Sequence, residues 1–163
     1  KILKKDLPMA ETISETTENY LKMYRTGLTR YHKMLESLKP EQVSHKLHPD
    51  SNSIGFLMRY IAEVDQVFAN RIFGVEIKMQ PKTVGPNIKD DGSFTDLEAL
   101  KTFNEQSEQV LSEAIQQQDA DKWTTVIDSP IFGKITKSAA LSRIIAHTGY
   151  HVGQIGLIAK YGD

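Results

Sequence analysis

Two histidines four residues apart, His147 and His151, stand in a largely apolar stretch near the C-terminus, Ile144-Ile145-Ala146-His147-Thr148-Gly149-Tyr150-His151-Val152-Gly153-Gln154-Ile155. An α-helix turns about 100° per residue, so residues four apart point the same way, one turn above the other. Ala140, Ile144, Ile155 and Ile158 fall on the same stripe, which predicts imidazoles aimed at the interior. Buried nitrogens need a partner, because leaving one unpaired costs about 1–3 kcal/mol. Neutral imidazole ligates Zn, Ni, Fe and Cu, and a rigid helix can present two such nitrogens to one ion. The Glu of an H-E-x-x-H helix is absent, since Thr148 follows His147. Spacing alone favours a pair of core histidines satisfied by Tyr, Glu or backbone groups. A catalytic metal typically takes a third protein ligand.

The third ligand has to come from another helix. Tyr60, Glu63 and Asp65 are the polar residues beside a buried stripe in residues 53–73. Glu63 with the two histidines would complete a site for Zn or another divalent metal, as ligand or as catalytic proton acceptor. Tyr60 would have to lose a proton from a phenol whose ordinary pKa is about 10. The default fates are a solvated Glu63 on the helix rim and a half-buried Tyr60. The pair His45-x-x-His48 lies in a polar segment, where solvated side chains are expected. His32 is expected at the surface, Tyr20, Tyr24 and Tyr31 on a core or dimer stripe, and Arg59 and Arg143 as solvated charges open to an anionic substrate.

The elements that must hold these residues follow from hydrophobic period. Residues 9–38 repeat apolar positions three or four apart and end before Pro40, with Gly27 marking a close helix contact. Residues 41–52 read as a loop. Residues 53–73 form the second helix, capped by Ser51 or Ser53 and stopped by Gly74. Residues 74–94 read as a long surface connection. Residues 95–118 form the third helix behind the capping-box pattern Thr95-Asp96-Leu97-Glu98. Residues 124–127 and 131–135 suggest a short hairpin, and residues 136–161 the fourth helix. Four amphipathic helices of about 20–30 residues pack naturally as an all-α four-helix bundle. The two long connections leave the helix order open.

Composition narrows the function. The chain has 163 residues, the length of one domain, with 39% hydrophobic and 25% charged side chains. Twenty basic residues against 21 acidic ones provide no excess to hold a phosphate backbone, so nucleic acid is not expected as a partner. Apolar runs are too short for a membrane span, and Lys1 to Leu7 has no apolar signal core. Zero cysteines remove thiolate nucleophiles and zinc-thiolate sites. A cytoplasmic location is the expectation.

The fourth-helix segment His147-Thr148-Gly149-Tyr150-His151-Val152-Gly153-Gln154 resembles the H-x-x-x-H-x-G-Q signature of the DinB-like (DinB/YfiT) superfamily. Ser53-Ile54-Gly55-Phe56-Leu57-Met58-Arg59-Tyr60-Ile61-Ala62-Glu63 resembles that family's second helix, and the helix order fits nearly the whole chain. The resemblance implies an up-down-down-up four-helix bundle, often a homodimer. It implies a divalent metal, commonly nickel or zinc, held by three histidines. Two map onto His147 and His151, and the third falls on Tyr60. Relatives include bacillithiol S-transferases and mycothiol-dependent maleylpyruvate isomerase, in which the metal activates a low-molecular-weight thiol.

Three arrangements are open at Tyr60: a metal site completed by Glu63 or water, a metal-free site with Tyr60 hydrogen-bonded to the histidines, and ligation by tyrosinate. The leading expectation is a metal-dependent transferase that joins a thiol to a small electrophile. The competing one is a non-catalytic small-molecule-binding or dimeric interaction protein.

Overall fold

The computed structural model of the protein describes residues 13–163. Its four helices are α1 (Glu15–Ser37), α2 (Ile54–Phe73), α3 (Leu97–Gln116) and α4 (Lys137–Tyr161), with strands β1 (Val126–Ser129) and β2 (Gly133–Thr136) before α4. Each helix starts where a short polar side chain takes an otherwise unpaired N–H of the first turn. Ser14 accepts from Thr17, Ser53 from Phe56, Asp96 from Ala99 and Thr136 from Ala139. The cap of α1 at Ser14 leaves Ile13 outside the helix; residues 9–12 of the expected helix lie outside the described residues. The cap of α3 is Asp96 rather than Thr95, and Ala99 at the third helical position leaves no reciprocal capping box. Gly74 closes α2 at φ 74°, a left-handed conformation that costs glycine little.

The helix order follows from which residues meet. Tyr31 reaches Asn104 and Thr17 reaches Gln118, so α1 and α3 run in opposite directions. Met58 meets Asn104 and Gln66 meets Ser107, so α2 and α3 run the same way. Gly27 lies against Ile145 and Met34 against Gly156, so α1 and α4 also run the same way. The result is an up-down-down-up bundle in which each helix has one parallel and one antiparallel neighbour. A parallel α2–α3 pair puts the end of one helix and the start of the next at opposite ends of the bundle. The 20-residue α2 is about 30 Å long, and residues 74–96 run back along that length.

That connection is not simply a surface loop. Thr83 is buried, and Asp90 accepts from the Ser53 amide at 2.7 Å and pairs with Lys46 at 3.3 Å. A Cβ at Gly55 would run into the Phe94 carbonyl, so the first turn of α2 needs glycine where the connection crosses it. The close contact at Gly27 is with Ile145 of α4: a Cβ there would lie 2.8 Å from the Ile145 Cγ2.

Tyr24, Tyr31, Leu28 and Leu35 of α1 lie in the core beside Ile61, Leu111, Ile144 and Ile155. The α1 tyrosine stripe therefore faces the bundle. Trp123 plugs one end, its indole N–H donating to Thr17 Oγ1 at 2.9 Å while Tyr20 and Phe73 pack on its ring. The hairpin sits about two residues later than the period suggested, pairing Val126 with Thr136 and Ser129 with Gly133. Ser129 Oγ accepts from the Ile131 and Phe132 amides, both at 3.2 Å, and Gly133 takes φ 67°. This turn holds Ile131 and Phe132 at the hairpin tip. Among the described residues no helix is long and apolar enough to cross a membrane.

Candidate functional site

The stripe of α4 that enters the core is Ala140, Leu141, Ile144, Thr148, Val152, Ile155 and Ile158. His147 and His151 precede Thr148 and Val152 by one residue, about 100° round the helix. They are therefore half-buried at the edge of that stripe rather than pointed into the core. From there they meet Tyr60 of α2. The Tyr60 ring centroid is 5.3 Å from that of His147 and 5.1 Å from that of His151, and the two imidazoles are 4.5 Å apart. The structure thus brings together three of the five candidate residues; Asp65 turns instead to the Tyr24 hydroxyl of α1.

Glu63 is placed elsewhere. It is fully buried, and both carboxylate oxygens are occupied. Oε1 accepts from Arg59 Nε at 2.6 Å. Oε2 accepts from the Lys82 amide at 2.8 Å, the Thr83 amide at 2.7 Å and the Thr83 hydroxyl at 2.6 Å. Glu63 is neither a solvated rim residue nor a free carboxylate beside the histidines, because Arg59 occupies one of its oxygens and the returning connection the other. Arg59 turns the same way, its guanidinium 3.7 Å from the Phe103 ring centroid. Among the described residues no three His, Cys, Asp or Glu side chains converge as a metal cluster. His45 and His48 stay in their loop, where His48 Nδ1 accepts from the Asp50 amide at 3.2 Å. His32 pairs with Glu108 on the α1–α3 face.

The imidazole chemistry is set by burial and by one amide. Burial, then the neighbouring His151 ring, lower His147 to about 4. Burial lowers His151 as well, opposed by its hydrogen bond with Gln154. Both rings are neutral near pH 7 and can act as nitrogen donors. Gln154 Oε1 lies 2.6 Å from His151 Nδ1. A carbonyl oxygen only accepts, so Nδ1 carries the proton and Nε2 keeps a free lone pair. His147 Nδ1 is buried without a partner. Burial raises the Tyr60 phenol above its ordinary value, so it stays protonated and can donate. Gln154 was given no role in the sequence reading; its position three residues after His151, on the same helix face, was the available signal.

A cavity of about 640 Å³ opens beside the rings between α2, α4, the hairpin tip and the connection. Val64, Phe68, Ile72, Val84, Phe132 and Ile144 give it apolar walls, with Tyr60, His147 and Tyr150 at one side. Arg71 and Arg143 are its two cationic lining residues, and Arg143 sits 5.2 Å from the Phe132 ring centroid. The contributions of Arg71, Val84 and Phe132 were invisible in sequence because they come from three separate segments.

A family model of the DinB superfamily matches residues 23–155. The chain belongs to the DinB superfamily. Solved structures agree on the fold. A conserved protein from Enterococcus faecalis superposes with a TM-score of 0.72 at 13% identity, over 91% of this chain and 97% of that one. A DinB-like protein from Bacillus cereus gives 0.71 at 21% identity, over 88% and 90%. A mycothiol-dependent maleylpyruvate isomerase gives 0.67 at 19% identity, over 86% of this chain and 60% of that one. A comparison with curated protein sequences found no match.

The residues present meet the superfamily's metal in part. Two neutral imidazoles, one with an unpartnered buried nitrogen and one with its lone pair freed by Gln154, suit a borderline divalent ion. The third position is a protonated phenol, which fits a hydrogen-bond donor better than a ligand.

Proposed function

We propose that this DinB-superfamily protein binds a small electrophilic molecule in the cavity beside Tyr60, His147 and His151, and transfers it to a low-molecular-weight thiol with the help of a divalent metal. The observation that carries the reading is the convergence of those three rings, two of which, Tyr60 and His147, line an apolar cavity of about 640 Å³. The structural likeness to a mycothiol-dependent isomerase supports the thiol. His147 and His151 would hold the ion, nickel or zinc by donor type. A divalent ion there supplies Lewis acidity that lowers the pKa of a thiol or water.

The chain's own residues do the rest. Val64, Phe68 and Phe132 exclude water from the bound electrophile. Arg71 and Arg143 line the cavity and suit an anionic group of the bound molecule. The Tyr60 hydroxyl donates to the anion that forms beside the histidines. Gln154 keeps the proton of His151 on Nδ1 and its Nε2 free. Glu63 acts through Thr83, holding in place the connection that supplies Val84.

Metal content of untagged protein tests the reading. It should approach one nickel or zinc per chain after incubation with the ion, and Tyr60→His should raise affinity by at least about tenfold. Protein that stays metal-free sinks the metal-dependent transferase. Unchanged affinity in Tyr60→His removes Tyr60 from the third position.

The non-catalytic reading has one observation in its favour, the phenol standing where a third ligand is needed. It requires saturable ligand binding with no metal. A homodimer through the outer face of α4 is part of the proposal, supported by exposed Tyr150 and Leu157 on either side of Gly153, which has nothing near it. Sedimentation equilibrium over a concentration series should show dimer; monomer throughout removes it.

A further inference from the structure

On the other side of the bundle a crevice of about 370 Å³ opens between α1 and α3, and Asp65 of α2 lines it. Asp65 is 3% exposed. Its Oδ2 accepts from the Tyr24 hydroxyl at 2.9 Å. Its Oδ1 is buried and has no hydrogen-bond partner. A buried carboxylate is normally paired with a cation or fully hydrogen-bonded, since an unmatched one is costly.

The neighbouring polar groups are already committed. The Tyr31 hydroxyl donates to Asn104 Oδ1 at 2.8 Å, and Asn104 Nδ2 donates to the Leu100 and Met58 carbonyls. The two basic residues lining the crevice have partners as well. Lys101 pairs with Glu98, and His32 with Glu108. Leu28 and Leu35 form an apolar wall, while Glu36 and Glu105 add negative charge.

We propose that this crevice is a binding site for a small organic cation, an alkylamine whose ammonium group takes the free Oδ1 of Asp65. The ammonium supplies three N–H donors to an acceptor that has none. Its aliphatic stem covers Leu28 and Leu35. A second ammonium at the far end meets Glu36 and Glu105, so a short diamine fits better than a monoamine. A bare metal ion fits poorly, because among the described residues no three ligating side chains converge. Burial, opposed by the Tyr24 hydrogen bond and reinforced by Glu108, raises the Asp65 carboxyl to about 7. A neighbouring cation reverses that effect. The site is separate from the Tyr60–His147–His151 cavity and stands or falls without it.

The test is titration of the full chain with 1,4-diaminobutane near pH 8, followed by calorimetry and by amide chemical shifts. Saturable binding in the millimolar range or tighter is expected, with shifts at Leu28, Leu35 and Asn104. Asp65→Asn should weaken it by at least about tenfold, and 1,4-butanediol should not bind. Glu105→Gln, an exposed change that leaves packing intact, should weaken it by about threefold and serves if Asp65→Asn does not fold. No saturation by about 10 mM, equal binding of the diol, or affinity unmoved by either variant overturns the proposal. Magnesium binding with the same Asp65 dependence overturns the organic cation in favour of a metal ion.

Discussion

Replacing Glu63 tests whether a carboxylate three residues from Tyr60 belongs to the chemistry or to the scaffold. Its side chain is fully buried, and it holds Arg59 Nε at 2.6 Å together with three donors from Lys82 and Thr83 at 2.6–2.8 Å. Removing one partner of a buried ion pair costs about 3–5 kcal/mol. Arg59 keeps 19% side-chain exposure, and the connection can shift toward water. Both reduce the loss, which places Glu63→Ala near the lower limit, about 3 kcal/mol. With a urea m-value of about 2 kcal/mol/M, the unfolding midpoint should fall by about 1.5 M. Glu63→Gln keeps the shape but turns an NH₂ toward a donor, so its loss should lie in between. Cleavage by trypsin at Lys82 should quicken in both, since the segment loses its anchor. Stability within about 0.5 kcal/mol of wild type, with unchanged proteolysis, would refute the anchoring argument. Full stability with loss of metal uptake or turnover would return Glu63 to the site.

Other consequences follow from single contacts. Gly27→Ala gains about 1 kcal/mol of helix propensity, but its Cβ meets Ile145 Cγ2 at 2.8 Å; overpacking of about 1–3 kcal/mol makes the net change destabilising. Gly156→Ala meets only the Met34 Cε, at 3.4 Å, so thermal unfolding should shift upward by the propensity gain; like-signed shifts in the two variants would contradict the α1–α4 packing. The His147 contribution to the stability of metal-free protein should be lost as pH falls from 6.5 toward about 4, against the opposite trend from Asp65, because unfolded His147 binds a proton that the folded form refuses. His147→Asn should flatten that acid limb, and an unaltered limb refutes the neutral buried ring. Asp65 has the opposite sign: its carboxyl rises from 3.8 to about 7 on folding, so stability falls as pH rises through that range. Asp65→Asn should therefore raise Tm near pH 8 and change it little near pH 4; a gain at the acid end instead would refute it.

Much of this protein was legible in local pattern. The helix spans, the cap at Ser53, the stop at Gly74 and the Gly27 contact all came from residues within a turn or two of one another. Local periodicity and capping chemistry act over that range, so they can be read without the fold. The i, i+4 spacing of His147 and His151 and their resemblance to a superfamily signature likewise pointed to Tyr60 across the bundle.

What needed the tertiary structure was everything decided by which helix lies beside which. The α2–α3 pair runs parallel because the long connection returns along the bundle; the superfamily resemblance implied that order, but hydrophobic period by itself has no directional information between helices. That same return brings Lys82 and Thr83 to Glu63, turning a candidate catalytic carboxylate into an anchor. Burial of the two histidines was overestimated for a related reason. Thr148 and Val152, one residue on, face the core, and the 100° step leaves the imidazoles at its edge. Sequence determined the rings and their spacing. Only packing decided that they stand half-buried beside Tyr60, next to a cavity whose other walls come from a hairpin tip and a returning loop.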